Sequence, residues 1–247
     1  MSRVITTPTF QLAAYVKGAA DSARLAIVLP GRLDTKDYAH MRSHVDFLSE
    51  HGYLALSFDY PGTWESPGDI GLYTTTNNLR AIDELIEYFG SKPTLLMGHS
   101  NGGTLAMLAG TVNPAVTHII AAMSGTGGPT TVGVPKPGEK AVLSLRDLPP
   151  GTTRTAAKKE FLLPIGYFDD LAKHDATEAL RACTKPKLFF YGTQDVLINP
   201  RSIKKTYAVS ADPKQLYELD SEHDYRLHPG IIKEVNRITG EFLRIYT

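Results

Sequence analysis

A serine with the surroundings of a nucleophile lies near the middle of the chain, in Gly98-His99-Ser100-Asn101-Gly102. An apolar run precedes it, and a glycine stands two residues to either side. This is the pattern of a nucleophile elbow, in which a strand turns sharply into a helix and a strained serine projects its Oγ into a cleft. The glycines are needed because strand and helix pass too close together for side chains. The spacing therefore predicts Ser100 as a nucleophile.

A serine hydroxyl attacks well only when a base takes its proton and a carboxylate orients that base. Asp195 follows a buried apolar run at 187–191, and His223 follows the last expected strand at 215–219. Side chains that follow parallel strands meet at one edge of a doubly wound sheet. The order serine, acid, histidine is the order that a strand-turn-helix elbow uses. We therefore predict that Ser100, Asp195 and His223 act together.

Other residues compete for the roles of acid and base. Asp195 could instead cap the helix that follows it, in which case Asp220 or Asp224 would supply the carboxylate. His228 is the alternative base, although its place before a proline at a helix start favours a turn. His99 is expected to be a positioned neighbour of the nucleophile.

Two backbone N–H groups must stabilise the oxyanion of a tetrahedral intermediate. One expected donor is Asn101, at the start of the helix after the elbow. The other is expected in the loop after the apolar run at 26–29, where Gly31 allows the backbone to approach the site. Arg32 is the preferred donor in that loop, and Leu33 is the second choice.

Alternating strands and helices must hold these groups in place. Continuous apolar runs predict strands that are buried on both faces, and apolar residues three or four apart predict covering helices. The expected strands are 10–16 at a sheet edge, 26–29, 54–58, the run before Ser100, 119–123, 187–191 and 215–219; the expected helices surround 41–48, 79–89, 102–109, 175–182 and 231–245. The predicted fold class is α/β, with a mostly parallel central sheet and helices on both faces.

The stretch from about 125 to 171 breaks this alternation. It is rich in Gly, Pro and Thr and is too long for a simple connection, so we expect a cap-like insertion within one domain spanning 1–247. Trp64, Phe161 and Phe168 are expected to line a substrate pocket, with Tyr167 as a further candidate.

Composition bears on partners and location. Lys and Arg together number 26, as do Asp and Glu, so no basic surface predicts nucleic-acid binding. No apolar run reaches the ~18 residues of a membrane span. A single cysteine, Cys183, and no apolar leader favour a cytoplasmic protein, expected to be a monomer or homodimer. His40 and His44 have metal-ligand spacing but no third ligand, so we expect a solvated helix face and no metal or cofactor.

Four segments together resemble the α/β-hydrolase superfamily across essentially the whole chain. They are the elbow at 98–102, the Asp-Tyr-Pro-Gly-Thr-Trp-Glu-Ser loop at 59–66, the acid segment at 191–195 and the histidine segment at 222–225. Within the superfamily the chain is similar to small single-domain carboxylesterases, including cinnamoyl/feruloyl-esterase-like and serine-aminopeptidase-like members. The resemblance implies the same fold and the same roles for Ser100, Asp195 and His223.

The chain departs from the family pattern at two places. Trp64 stands where the loop at 59–66 usually has its middle glycine, and Pro30-Gly31 stands where the family usually has His-Gly. The serine nucleophile separates the chain from dehalogenase and epoxide-hydrolase relatives, which use Asp, and from the dienelactone-hydrolase type, which uses Cys.

The residues and the resemblance predict a serine hydrolase that cleaves small-molecule carboxylic esters through an acyl-enzyme. Amide, peptide or thioester cleavage is the alternative, because the elbow does not select a leaving group. A ligand-binding protein without turnover is a third hypothesis. The Arg32 side chain has two interpretations: a planar fork for a substrate carboxylate or sulfonate, or a surface salt bridge to Asp34 or Asp37.

Overall fold

The continuous apolar runs of the sequence form strands of one large sheet. A computed structural model describes residues 3–246. The strands of this sheet are β1 Arg3–Thr6, β2 Gln11–Lys17, β3 Leu25–Leu29, β4 Leu54–Phe58, β5 Thr94–His99, β6 Val116–Ala122, β9 Lys187–Gly192 and β10 Lys214–Leu219; β7 Ala141–Asp147 and β8 Lys158–Pro164 form a separate hairpin. The order in the sheet is β1-β2-β4-β3-β5-β6-β9-β10. β1 and β2 run antiparallel to their neighbours, and all other pairs are parallel.

Helices connect most of the parallel strands. They are α1 Ala39–Glu50, α2 Thr75–Tyr88, α3 Asn101–Val112, α4 Ile165–Leu171, α5 Thr177–Ala182, α6 Pro200–Val209 and α7 Pro229–Tyr246. α2 begins at a capped end, where the Thr74 side chain accepts a hydrogen bond from Asn77 N–H. Two short 3₁₀ turns at Ile70–Leu72 and Tyr225–Leu227 complete the connections.

Both faces of the sheet are covered, which explains why its central strands are apolar without alternation. In β3, Ala26 and Val28 face the core shared with α1 and α7, whereas Ile27 and Leu29 face the core shared with α2 and α3. Successive side chains of a strand point to opposite faces, so a strand between two helical layers must be apolar throughout. This arrangement confirms the predicted fold class.

The parallel strands bring the chemistry-bearing loops to one edge. β3, β5, β9 and β10 end at Leu29, His99, Gly192 and Leu219, and the segments with the predicted site residues follow directly. Because these strands are parallel, their carboxyl ends lie at the same side of the sheet.

Two details differ from the expectations. β2, the strand expected at a sheet edge, pairs with β4 on one side and with β1 on the other, so β1 is the edge strand. The segment 125–171 contains regular structure: β7 and β8 form an antiparallel hairpin, and α4 follows directly. Leu143, Leu145 and Leu162 of the hairpin are exposed, so neither strand carries the continuous apolar run of a central strand.

Candidate active site

Ser100 occupies a sharp turn between β5 and α3. Its backbone has φ 52° and ψ −124°, in the positive-φ region that side chains rarely adopt. The flanking glycines permit the turn: a Cβ at Gly98 would overlap with the carbonyl group of Gly102, and a Cβ at Gly102 would overlap with that of Leu29. A larger residue at Gly98 would push β5 away from α3, and one at Gly102 would push α3 away from the end of β3.

His223 lies within hydrogen-bond distance of both Ser100 and Asp195 and so connects the two. His223 Nε2 lies 2.9 Å from Ser100 Oγ, and His223 Nδ1 lies 2.8 Å from Asp195 Oδ2. A carboxylate only accepts, so the neutral imidazole carries its proton on Nδ1 and presents Nε2 as an acceptor to the serine hydroxyl. This arrangement can take a proton from Ser100 and stabilise the imidazolium that forms.

The Asp195 carboxylate is held by two further donors. The N–H groups of Leu197 and Ile198 each donate to its Oδ1 at 2.8 Å. The helix that follows is capped instead by Asn199, whose side chain accepts from Arg201 N–H. Asp195 is therefore not the cap of α6, and its second oxygen is available for the histidine.

The competing acids and base face other partners. Asp220 accepts a hydrogen bond from the Gln194 side chain at 2.8 Å, and Asp224 lies 3.5 and 3.7 Å from two arginines. His228 lies 3.4 Å from Glu222 and is 46% exposed on its side chain. None of these contacts leads to Ser100.

The two expected oxyanion donors come from different segments, because Asn101 directly follows the serine and Arg32 lies in the loop after β3. Asn101 is the first residue of α3, so its N–H has no acceptor within the helix. Leu33 N–H donates to Tyr73 Oη at 3.0 Å. Among the residues that the structure describes, no protein acceptor binds Arg32 N–H. The geometry thus favours Arg32 over Leu33 as the second donor.

Side chains from three other segments hold the loop at 30–33, which is the expected oxyanion loop. The Tyr60 hydroxyl donates to Pro30 O at 3.0 Å, and Trp64 Nε1 donates to Leu33 O at 2.9 Å. Arg146, on β7, donates to Arg32 O through Nε at 2.9 Å and Nη2 at 2.7 Å. With Tyr73, these side chains fix the loop before any substrate binds. The sequence carried no spacing signal for them, because they converge from distant segments.

Trp64 shows why the family usually has glycine at its position. Its φ is 47°, a conformation that glycine adopts freely and other residues rarely do. The hydrogen bond to Leu33 and edge-on contact with Phe161, at 5.6 Å between ring centroids, hold the tryptophan there.

A cavity of about 460 Å³ has Ser100 and His223 in its wall. The insertion supplies one side of it through residues that include Val132, Leu145 and Tyr167. The wall contains both apolar and charged side chains, which suits a small molecule with both kinds of group.

A family model described as the alpha/beta hydrolase family matches residues 26–232. The chain is a member of this family. A search of curated proteins finds no match to this hydrolase.

Solved structures share the fold of this hydrolase at low identity. One is Est1E from Butyrivibrio proteoclasticus with bound ferulic acid, at 18% identity and TM-score 0.79, covering 99% of this chain and 98% of that chain. Another is alpha/beta hydrolase domain-containing protein 10 from mouse, at 17% identity and TM-score 0.76, covering 100% of both chains. The thioesterase domain from the curacin biosynthetic pathway is 14% identical with TM-score 0.72, covering 96% of this chain and 98% of that chain.

The rings expected to line the pocket lie elsewhere in the hydrolase. Trp64, Phe161 and Phe168 pack against the core under the insertion, and none of them belongs to the cavity wall. Their apolar rings attach the insertion to the core of the sheet. Tyr167 is the one aromatic candidate that the structure brings to the cavity.

The expectation of a solvated histidine face on α1 was wrong. His40 and His44 are fully buried between α1 and the layer that contains Tyr225. His44 Nε2 lies 2.8 Å from the Tyr225 hydroxyl, whereas both nitrogens of His40 lack a hydrogen-bond partner among the described residues. Burial lowers the pKa of His44 to about 4 and holds the pKa of His40 well below 6.5, so both rings are neutral.

Asp34, His40 and His99 are the described residues whose arrangement comes nearest to a metal site. His99 Nδ1 and Asp34 Oδ2 are 4.0 Å apart, however, and two ligands of a tetrahedral zinc ion would be ~3.4 Å apart. Asp34 also lies 3.5 Å from the guanidinium of Arg146. We interpret the cluster as packing beneath the serine, in which His40 and His99 are neutral and Asp34 faces Arg146.

Within residues 3–246, no helix combines the length and the apolar character needed to cross a bilayer.

Proposed function

We propose that this hydrolase cleaves carboxylic esters of small molecules through an acyl-enzyme on Ser100. The observation that carries the proposal is the unbroken hydrogen-bond chain from Asp195 through His223 to the Ser100 hydroxyl. A second observation supports the proposal: Ser100 and the two expected oxyanion donors, Arg32 and Asn101, line the same cavity.

Acylation begins when Ser100 Oγ attacks the ester carbonyl carbon and His223 Nε2 takes the hydroxyl proton. Asp195 stays ionised and stabilises the imidazolium through its hydrogen bond to Nδ1. The carbonyl oxygen becomes an oxyanion, which accepts hydrogen bonds from the N–H groups of Arg32 and Asn101. The intermediate then collapses: the ester C–O bond breaks, and His223 gives its Nε2 proton to the leaving alkoxide.

Deacylation repeats these steps with water as the nucleophile. His223 takes a proton from water, the hydroxide adds to the acyl carbon, and the oxyanion again binds the two N–H groups. Collapse breaks the bond to Ser100 Oγ, and His223 returns the proton to the serine. The same machinery accepts thioesters and activated amides, so leaving-group preference depends on the cavity.

Replacement of the nucleophile tests the proposal. Ser100→Ala should lower kcat for p-nitrophenyl butyrate by more than ~10³-fold, because no acyl-enzyme can form. Ser124→Ala is the matched control: this buried serine lies beside Gly103 in the same region and belongs to none of the proposed steps. Wild-type turnover in a folded Ser100→Ala protein would refute the proposal.

A further inference from the structure

The cavity beside Ser100 carries more positive than negative side chains. Its wall contains five cationic residues, Arg32, Arg146, Arg154, Lys158 and Arg226, and three aspartates, Asp34, Asp147 and Asp224. A low-dielectric cavity with surplus positive charge concentrates anionic ligands.

Four of these five cations already have carboxylate partners. Arg146 lies 3.5 Å from Asp34, and Arg154 lies 2.9 Å from Glu222. Lys158 and Arg226 both pair with Asp147. With Asp224, which lies 3.7 Å from Arg226, four carboxylates compensate these four cations within the protein.

Arg32 has no carboxylate partner among the described residues. The sequence left open a salt bridge to Asp34 or Asp37, but Asp34 faces Arg146, and Asp37 pairs with Lys36 and Arg42. That interpretation of Arg32 was wrong.

The Arg32 guanidinium is held in place by backbone groups of the insertion. Nη1 donates to Val132 O at 3.0 Å, and Nη2 lies so near Gly133 that a Cβ there would be 2.8 Å away. Arg146 also fixes the Arg32 carbonyl. The side chain is half-buried and keeps unused N–H donors. A positioned, uncompensated guanidinium is suited to bind a carboxylate through its planar fork.

The same wall offers another unused polar group. Tyr167 is buried and lines the cavity, and its hydroxyl has no hydrogen bond of ordinary geometry to any described group, although Tyr73 lies beside it. A buried hydroxyl without a partner is costly, so a ligand that binds it gains affinity.

We propose that Arg32 makes the site selective for esters with a second, ionised carboxylate away from the scissile bond. This inference rests on the proposed ester hydrolysis and adds the class of substrate. It gives Arg32 two separate roles: the backbone N–H binds the oxyanion, and the side chain binds the distal anion.

Pairs of esters that differ by one carboxylate test this selectivity. On the acyl side, mono-p-nitrophenyl adipate, pimelate and suberate are compared with p-nitrophenyl hexanoate, heptanoate and octanoate. On the alcohol side, 4-carboxyphenyl butyrate is compared with phenyl butyrate. We expect kcat/KM to favour the carboxylate in at least one pair by roughly 10- to 100-fold, the range of a charge-assisted hydrogen bond. No preference in any pair would overturn the inference.

Two arginine variants separate a local contact from the general field of the cavity. The preference ratio is kcat/KM for the ester with the distal carboxylate divided by kcat/KM for its uncharged partner. In Arg32→Met this ratio should fall by about tenfold or more, because the guanidinium is removed while the backbone N–H remains. In Arg154→Met, a variant of a cavity arginine paired with Glu222, the ratio should stay within about twofold. An equal fall in both variants, or an unchanged ratio in Arg32→Met, would contradict an Arg32 contact.

A binding measurement keeps this test independent of turnover. Calorimetric titration of Ser100→Ala with monomethyl suberate and with methyl octanoate, which differ only by the distal carboxylate, should show about tenfold tighter binding of monomethyl suberate, and adding Arg32→Met should remove that difference. Equal binding of the two esters would refute the anion subsite. Absence of all ester turnover together with selective binding of monomethyl suberate would refute the proposed hydrolysis and leave the subsite supported.

Discussion

His99 Nε2–H donates to the backbone carbonyl oxygen of His223 at 2.9 Å. The residue before the nucleophile therefore holds the main chain of the base on the other side of the site. His99 is 2% exposed, and burial keeps its pKa well below 6.5, so the ring stays neutral with its proton on Nε2. Through this contact, the elbow sets the position of His223 relative to Ser100.

Loss of this contact should impair catalysis. We expect His99→Leu to lower kcat/KM by roughly 10- to 100-fold, because a small displacement of the base disrupts proton transfer. The rate should be measured per active site. His118→Leu is the matched control. His118 Nε2 contacts the carbonyl oxygen of Tyr246 at 3.2 Å, and neither residue is a proposed site residue. Similar losses of activity per folded molecule in both variants would argue against a positioning role.

The oxyanion loop should depend on the hydroxyl of Tyr73. In Tyr73→Phe, Leu33 N–H loses its acceptor and the loop loosens, so kcat should fall by roughly 5- to 50-fold with little change in KM. This is less than the ~10²–10³-fold cost of losing a donor itself. Tyr15→Phe, which removes a hydroxyl bound to Asp46 on another part of the sheet, should leave kcat unchanged. A change confined to KM would contradict an oxyanion role.

Buried neutral histidines should make the protein sensitive to acid. Because the pKa of His44 is about 4 in the folded state and 6.5 unfolded, protonation favours unfolding. The stabilisation is fully present above pH 6.5 and is lost as the pH falls toward 4. At pH 5 the loss is about 2 kcal/mol for His44.

Urea unfolding at several pH values checks this expectation. The free energy of unfolding of His40→Met should depend less on pH between 6.5 and 5 than that of the wild type. His51→Gln, at an exposed histidine, should leave the pH dependence unchanged. An unaltered slope in His40→Met would show that His40 is not kept neutral by the fold.

The sequence carried enough information for the fold and for the grouping of the main site residues. Continuous apolar strands and turn glycines are local signals, and chain order alone placed Asp195 and His223 after parallel strands. The hairpin of β7 and β8 was missed because three of its four leucines, Leu143, Leu145 and Leu162, are exposed, so its strands lack the continuous apolar run of a central strand. The single-domain organisation, the cytoplasmic location and the monomer or homodimer stay predictions.

Contacts that converge from distant segments could not be predicted in this way. His40 and His44 have the spacing of any helix face, and only the tertiary packing shows which face is buried. Tyr60, Tyr73 and Arg146 likewise reach the oxyanion loop from separate parts of the chain. The aromatic residues of the insertion were expected at the cavity because apolar rings suit a pocket, but they equally suit its attachment to the core.

Covalent labelling tests the central claim most directly. A fluorophosphonate forms a stable adduct only with an activated serine, and peptide mass spectrometry then identifies the modified residue. We predict one adduct per chain, located on Ser100, and its loss in His223→Ala, where the base is missing. Ester turnover by a protein that forms no adduct at Ser100 would contradict the account.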